Sequence, residues 1–472
     1  MATTPVEAGP PVPVPPAPPE SERAVRRGDG YRPAIPDLLT VAAAVAFVVL
    51  AAREGWRLLD AGVNIFVFFP PLLANWEPHT GPGTPLAILV AVAVVVAGPT
   101  LAARMSWVRL IFAAWAAAFA WTLSLAMVDG WQGGVATRLS TDQEYLYDLP
   151  RVTGIGQMLS IFSDHILTTG QDPDQTWFWV THVGAHPPGA FAVFIGLDQL
   201  GISGGGAAAV FTMIVGASAA AATAVTVRAL GAEGLARRAL PFAVLFPGAV
   251  WVGVSADGMF AGVLAWGVAL LALATVGTGR ARTIGYGLAG GLVLTMSIYL
   301  SYGLAVGVLL PLAVLAATRR WSILAPALGG AAVVVAAFTL SGFWWLDGFD
   351  KVRLIYAESI AQDRPYEYFV WANIAAVLFA LGPAVVAGLR RLVTHPRAVP
   401  VGAVLLIAAG VLAIAIADYS GMSKAEVERI WLPFGVWLVL ACGLLPRRQV
   451  RGWLVAQALL ALALNHLLSM PW

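Results

Sequence analysis

The sequence of 472 residues has very little cysteine and few charged residues. Its single cysteine, Cys442, lies within a hydrophobic stretch, which excludes a disulfide framework and a thiolate metal site. Only 11% of the residues are charged, whereas soluble domains have about 25%, and 59% are hydrophobic. This composition excludes an ordinary soluble domain and predicts an all-α, polytopic transmembrane bundle.

Other signals are missing as well, and each absence removes a class of site. The glycine-rich segments 204–206 and 285–291 carry no P-loop lysine, so they predict close helix packing and no phosphate cradle. His165, His182 and Asp164 lack the close spacing of metal ligands, and no metal site is predicted. No cofactor and no nucleic-acid partner is indicated, while metal dependence stays open.

The first residues differ from the rest of the chain. Residues 1–34 are rich in proline, poor in apolar residues and end in four arginines. Such a segment cannot bury enough apolar surface to fold alone, so we predict a disordered cytoplasmic tail. Residues 35–128 then form the first transmembrane helices, 129–204 a long polar loop, and 205–472 the main bundle with further polar loops at 344–367 and 418–428.

Apolar runs of the length that a bilayer requires, roughly 17 to 25 residues, recur along the chain. We predict thirteen spanning helices, at about 36–53, 84–102, 109–128, 205–229, 238–256, 258–276, 283–300, 302–318, 322–343, 368–389, 398–417, 429–446 and 451–469.

The charges separate by side when these helices alternate in direction. About nineteen of the 28 Lys and Arg residues then lie on the side of the tail, which the positive-inside rule makes cytoplasmic. About twenty of the 26 acids lie on the opposite side. We therefore expect a cytoplasmic-membrane protein whose polar loops and C-terminus are extracytoplasmic.

The loop at 129–204 has helical patterns of its own. Apolar residues at helical spacing in 152–167, and the short apolar run 187–201, predict two juxtamembrane helices on the external surface. The loop also contains an acidic, aromatic run from Thr141 to Pro150 and the sequence His186-Pro187-Pro188. It therefore holds most of the side chains that could perform chemistry.

These motifs resemble the GT-C superfamily of membrane glycosyltransferases over residues 109 to about 445. Asp142-Gln143-Glu144-Tyr145 resembles the acidic motif of the family's external loop, and His186-Pro187-Pro188 resembles an element near the donor phosphate. The charged run from Lys424 to Phe434 is similar to the patch before a late span in actinobacterial members. The loop here follows the third span instead of the first.

The resemblance implies transfer of a sugar from a polyprenyl-phosphate donor to an external glycan, lipid or protein acceptor. A loop carboxylate would be the general base, with Glu144 first and Asp142 and Asp148 as alternatives. His186 and Arg429 would bind the donor phosphate. Further expected substrate-binding residues are Lys424, Asp257, Tyr145, Arg151 and Glu426.

Other readings stay open. Glu144 and Asp148 could form a solvated helix face or pair with Arg138 and Arg151. Asp142 could cap a helix, and the prolines after His186 could only stiffen a turn. The second polar loop, Asp347 to Tyr368, which includes Arg364, could close over the acceptor and is the runner-up site. A multispan transporter or lipid flippase also needs many helices, but carriers place ionisable groups in their span centres, which are almost free of charge here. A non-catalytic assembly partner is a third reading, and it would not need an acidic external loop.

Overall fold

A computed structural model describes residues 35–167 and 176–471. The predicted tail, 1–34, lies outside the described residues. The described residues are mainly helical, and their strands are one antiparallel pair, β1 (Asn75–Trp76) and β2 (Leu468–Ser469). This pair joins the segment after the first helix to the segment after the last one.

The α-helices of the described residues are named here in chain order. They are α1 (Ile35–Asp60), α2 (Thr84–Arg104), α3 (Trp107–Ala126), α4 (Ile155–Ile161), α5 (Thr181–Gly184), α6 (Gly189–Gln199), α7 (Gly205–Ala217), α8 (Ala219–Ala229), α9 (Glu233–Val244), α10 (Ala249–Val252), α11 (Ala256–Val276), α12 (Arg280–Leu300), α13 (Leu309–Thr318), α14 (Leu324–Leu340), α15 (Trp345–Glu358), α16 (Ile360–Asp363), α17 (Tyr366–Leu381), α18 (Pro383–Thr394), α19 (Val401–Tyr419), α20 (Val427–Ile430), α21 (Leu432–Leu438) and α22 (Val450–Leu467). Shorter 3-10 helices cover Met127–Asp129, Arg138–Ser140, Tyr145–Arg151, Phe162–His165, Tyr302–Val308, Trp321–Ile323, Pro396–Ala398 and Val439–Leu444, and a π-helix covers Gln132–Ala136.

Nine helical segments within 35–167 and 176–471 are long and apolar enough to cross a membrane. They are α1, α2, α3, α7 with α8, α11, α12, α14, α19 and α22. The pair α17 and α18 makes a tenth if it is counted as one span, although the two helices meet at a bend of 106°. The protein is therefore a multi-pass membrane protein, but the predicted count of thirteen is not confirmed.

Breaks in the helices explain the difference. The run 238–256 is divided between α9 and α10, the run 302–318 begins as a 3-10 helix, and the run 429–446 contains only short helices. In the run 368–389, Gly382 has a φ of +76° and Pro383 begins a new helix in another direction. Average hydropathy records apolar content, and it does not record where glycine and proline interrupt the backbone.

Contacts between helix ends agree with the predicted grouping of those ends into two faces. On the arginine-rich face, Arg237 donates hydrogen bonds to the backbone oxygens of Ala102 and Met105. On the opposite face, which carries most of the acids and is called the acidic face here, Thr84 Oγ1 lies 2.8 Å from His466 Nε2. Which of the two faces is extracytoplasmic stays a prediction.

The broken run 429–446 still connects these two faces. The backbone oxygen of Leu445 accepts a hydrogen bond from Arg238 on the arginine-rich face. At the other end of the run, Arg429 contacts Asp257 on the acidic face. A chain that is not one regular helix therefore positions Arg429 at the acidic face.

Close helix packing at glycine holds part of the bundle together. A methyl group in place of the hydrogen at Gly291 in α12 would lie 1.8 Å from the backbone oxygen of Ala327 in α14. The equivalent distance from Gly330 in α14 to the backbone oxygen of Leu288 is 2.0 Å. The glycine-rich segment of α12 is thus a packing surface, as the sequence predicted.

The helix predicted at 187–201 forms as α6, but most of its residues are buried within the protein. Gly189 lies against the backbone of Tyr299 at the end of α12, where a methyl group would lie 2.4 Å from the backbone oxygen. The helix predicted at 152–167 is shorter and continues as a 3-10 helix, Phe162–His165. Both elements contact Trp179, three residues before His182: the backbone oxygen of Phe162 accepts a hydrogen bond from its indole N–H, and the ring of Phe191 in α6 lies 5.6 Å from its ring.

Candidate functional site

Four side chains from distant segments form a buried polar network on the acidic face. Glu144 Oε1 lies 2.8 Å from His182 Nδ1, and His182 Nε2 accepts a hydrogen bond of 3.3 Å from Arg429 Nη2. Arg429 Nη1 donates a hydrogen bond of 2.7 Å to Asp257 Oδ2. The local folds that present them are the start of the 3-10 helix Tyr145–Arg151, α5, α20 and the first turn of α11.

The network determines which ring nitrogen of His182 faces Arg429. A guanidinium group only donates hydrogen bonds, so Nε2 of His182 must carry the lone pair that faces Arg429. The ring proton is then on Nδ1, which lies next to the carboxylate of Glu144. His182 therefore lies between a carboxylate and a guanidinium group.

Tyr145 and His186 form a second layer beside this network. His186 Nδ1 donates to the backbone oxygen of His182 at 2.8 Å and lies 3.0 Å from the Tyr145 hydroxyl. Burial lowers the pKa of His186, although the charge of Asp257 opposes the change. Burial also raises the pKa of Tyr145. A neutral His186 therefore offers Nε2 as an acceptor, and it would donate to a phosphate oxygen only when protonated.

A second set of charges surrounds Arg429. Glu426 Oε2 accepts a hydrogen bond of 2.6 Å from Arg429, and Glu426 Oε1 lies 3.6 Å from Arg364 Nη2. Lys424 Nζ donates to the backbone oxygens of Gln362 and Arg364, at 3.2 and 2.9 Å. Burial lowers the pKa of Lys424. In this structure Lys424 holds the end of the polar loop 344–367 in place.

The other expected residues of the loop lie apart from this network. Asp148 Oδ2 accepts from the backbone N–H of Val180 at 2.8 Å, and Asp148 Oδ1 lies 2.8 Å from Arg151 Nη1. Arg151 also donates to the backbone oxygen of Phe178. Burial raises the pKa of Asp148, while the Val180 N–H opposes the change. Asp148 and Arg151 therefore join the segment that contains them to the segment 178–180. Asp142 is exposed.

Unusual backbone angles occur on both sides of the ion pair between Asp257 and Arg429. Val254 has a φ of +69°, a conformation that a β-branched residue rarely adopts. Ala425 and Glu426 have φ values of +68° and +62°. Such angles are retained mainly where the surrounding structure imposes them, and they concentrate at functional sites.

Three residues near Arg429 were not among those expected from the sequence. His182 was considered only as a metal ligand beside His165 and Asp164, and its actual partner Arg429 is 247 residues away in the chain. Buried Arg364 belongs to the polar loop Asp347 to Tyr368, the runner-up site, but no role of its own was predicted. Glu428 is 1% exposed, and burial raises its pKa to about 7.

Glu428 Oε2 has no hydrogen-bond partner among the described residues. The charged run that contains Lys424, Glu426, Glu428 and Arg429 indicated a site in the sequence, but no role was predicted for Glu428 itself. Within 35–167 and 176–471, no group of three or more His, Cys, Asp or Glu side chains is arranged to hold a metal ion.

The protein is similar in structure to the Archaeoglobus fulgidus oligosaccharyltransferase, crystallised as a complex with Zn and sulfate. The TM-score is 0.38 and the sequence identity is 14%. The match covers 76% of this chain and 54% of that one, so the chain spans about half the length of the matched protein. No protein-family model and no curated protein matches the chain. The chemistry of the site therefore rests on the protein's own residues.

Proposed function

We propose that the protein is a membrane glycosyltransferase of the GT-C type that transfers a sugar from a polyprenyl-phosphate donor to an extracytoplasmic glycan, lipid or protein acceptor. The observation that carries this proposal is the convergence of Glu144, His182, Asp257 and Arg429 in one network. Glu144 and His182 come from the polar loop 129–204, Asp257 from the start of α11, and Arg429 from α20. A purely structural loop has no need to bring them together at the acidic face.

The location of the network fits a donor with a prenyl tail. Such a donor keeps its tail in the bilayer and its phosphosugar at the level of the headgroups. The network lies at the ends of the membrane-spanning helices, where Asp257 is in the first turn of α11. A phosphate at this depth would be close to the buried guanidinium group of Arg429.

Glu144 is the proposed general base. Its side chain remains 11% exposed, so an acceptor hydroxyl could approach it, and His182 Nδ1 lies 2.8 Å from its Oε1. The acceptor oxygen forms a bond to the anomeric carbon and its proton passes to Glu144. The bond from that carbon to the phosphate oxygen breaks, and the phosphate keeps the electron pair.

The phosphate that leaves carries negative charge, which Arg429 is proposed to stabilise. Asp257 holds this guanidinium group in position from one side. His186 donates a hydrogen bond to the backbone oxygen of His182, and in its protonated form it would also donate a hydrogen bond to the phosphate. Lys424 contributes through the loop that it anchors, and Tyr145 supports His186.

Of the other two candidate bases, Asp148 is held by the N–H of Val180 and by Arg151. Both of its oxygens are therefore already occupied. Asp142 is exposed two residues before Glu144 in the chain and remains the alternative base. Substitution of each acid separately distinguishes the three.

The decisive experiment measures sugar transfer by the Glu144→Gln variant in membranes that are supplied with a labelled polyprenyl-phosphate sugar. Loss of a general base lowers a rate by about 100-fold to 10,000-fold, and we expect a loss in this range. The matched control is Asp198→Asn, an exposed acid in the same loop, which should retain transfer. Transfer unchanged in Glu144→Gln but lost in Asp142→Asn would move the base to Asp142. Absence of transfer by the unmodified protein with every polyprenyl-phosphate sugar would refute the proposed function.

A further inference from the structure

The carboxylate of Glu426 lies between two buried guanidinium groups. Its Oε2 is 2.6 Å from Arg429 Nη2, and its Oε1 is 3.6 Å from Arg364 Nη2. Arg364 is only 7% exposed. Two buried arginines that face one carboxylate form the arrangement that also binds a phosphate, because both anions accept paired N–H groups.

Arg364 has a hydrogen-bond donor left over. Its Nη1 donates to the backbone oxygen of Lys424, and its Nη2 donates to the backbone oxygen of Phe66 at 3.3 Å. Its Nε is buried and has no acceptor among the described residues. Buried donors are nearly always paired, so this N–H indicates an acceptor that the folded chain does not supply.

The position of Glu426 is also a strained one. Glu426 and the preceding Ala425 both have left-handed backbone angles, φ of +62° and +68°, which are unfavourable for residues with a Cβ atom. The Glu426 side chain is 18% exposed, so it has a route to solvent. Release of its carboxylate from the two arginines would permit this strain to relax.

We infer that Arg364 and Arg429 form a binding site for the phosphate ester of a lipid, and that the carboxylate of Glu426 occupies this site until the phosphate displaces it. The inference rests on the proposed function for the identity of the ligand. Asp257 keeps Arg429 in place from the opposite side, so the guanidinium group does not follow the departing carboxylate. The internal carboxylate lowers the apparent affinity for the phosphate, because only the fraction of molecules with an open site can bind.

The test measures binding to the purified full chain in detergent, and it does not depend on transfer. The probes are geranyl phosphate, inorganic phosphate and geraniol, which has the same prenyl chain without the phosphate. Glu426→Gln should bind geranyl phosphate about tenfold more tightly than the unmodified protein, since a competing charged hydrogen bond is removed. Geraniol binding should not change. Arg364→Lys should cancel the gain, because a lysine cannot present two parallel N–H groups.

Asp350→Asn is the matched control. It removes one negative charge from the same external side, but its side chain is 71% exposed and pairs only with Arg353 among the ion pairs of the described residues. Its affinity for geranyl phosphate should equal that of the unmodified protein. Equal tightening in this variant would show a general charge effect and would overturn the inference.

A second substitution covers the event that Glu426→Gln does not fold. Glu426→Asp shortens the side chain by one methylene group, which withdraws the carboxylate from Arg364, and geranyl phosphate should again bind more tightly. Unchanged or weaker binding in a folded variant would overturn the inference, and so would failure of both variants to fold. If Glu426→Gln bound inorganic phosphate more tightly but geranyl phosphate no more tightly, the inference of a lipid-linked ligand would also be overturned.

The two proposals can fail separately. If Glu144→Gln retains transfer while Glu426→Gln binds geranyl phosphate more tightly, the phosphate site stands and the role of Glu144 is wrong. If Glu144→Gln abolishes transfer while Glu426→Gln leaves the affinity unchanged, the glycosyltransferase stands and the displaceable carboxylate is wrong.

Discussion

Glu428→Gln should make the stability of the folded protein less dependent on pH. Burial raises the pKa of Glu428 from 4.5 to about 7, and the nearby charge of Glu426 adds to this, while Arg429 and Arg364 oppose it. The folded state therefore binds a proton at pH values where the unfolded chain has released it. This carboxyl group contributes stability that is fully present below pH 4.5 and is lost as the pH rises through about 7.

The size of the effect follows from the two pKa values. A difference from 4.5 to about 7, at about 1.4 kcal/mol for each pH unit, corresponds to about 3 kcal/mol over the whole range. Between about pH 5.5 and about pH 8 the unmodified protein should lose about 2 kcal/mol of unfolding free energy through this group. Glutamine has no proton to lose, so the variant should lose this part of the pH dependence.

The assay is unfolding in detergent, followed by intrinsic fluorescence, at several pH values across this range. Glu367→Gln, which removes an exposed carboxylate nearby, is the control and should keep the pH dependence of the unmodified protein. The same slope in Glu428→Gln and in the unmodified protein would show that Glu428 is ionised at every pH tested. That result would refute the argument from burial.

Three further predictions concern other parts of the molecule. Asp148→Asn removes a carboxylate that accepts a backbone N–H and faces an arginine, and it should lower the free energy of unfolding by about 2 kcal/mol. If each folded molecule of this variant lost transfer as fully as Glu144→Gln does, Asp148 would have a catalytic role. Asp37→Asn leaves two arginines of α18 without their carboxylate and should lower the free energy of unfolding by about 3 kcal/mol, measured in the same assay. An unchanged unfolding midpoint would contradict a structural ion pair. In a Cys442→Ala background, an impermeant thiol reagent should label Asp142→Cys in intact cells and should not label Arg320→Cys; the reverse pattern would invert the predicted sidedness.

Much of the architecture could be predicted from composition, because a bilayer requires long apolar helices. The grouping of Glu144, Asp257 and Arg429 followed from alternation of helix direction, which places their segments on one face. The number of spans could not be predicted in the same way. Gly382 and Pro383 lie within a continuous apolar run, and a hydropathy average does not detect the bend of 106° between α17 and α18.

The connections within the site depend on tertiary structure. His182 has no sequence neighbour that reveals its role, since its contacts with Glu144 and Arg429 exist only after the loop has folded against α20. The sequence also did not show that Asp148 is occupied by Val180, because a backbone N–H donor leaves no signal in the residue type. A partner close in sequence, Arg151 for Asp148, was readable from the sequence, but the partners distant in sequence were not.

Arg429 contacts one partner 172 residues away in the chain and another 247 residues away. No contiguous fragment shorter than the stretch from Glu144 to Arg429 can contain all of these groups. Folding must close these very long loops before the network exists, so the network should assemble late and disappear early on heating. Thermal inactivation should consequently begin before the apolar bundle separates, which would make the polar network the part of the protein that limits its working temperature.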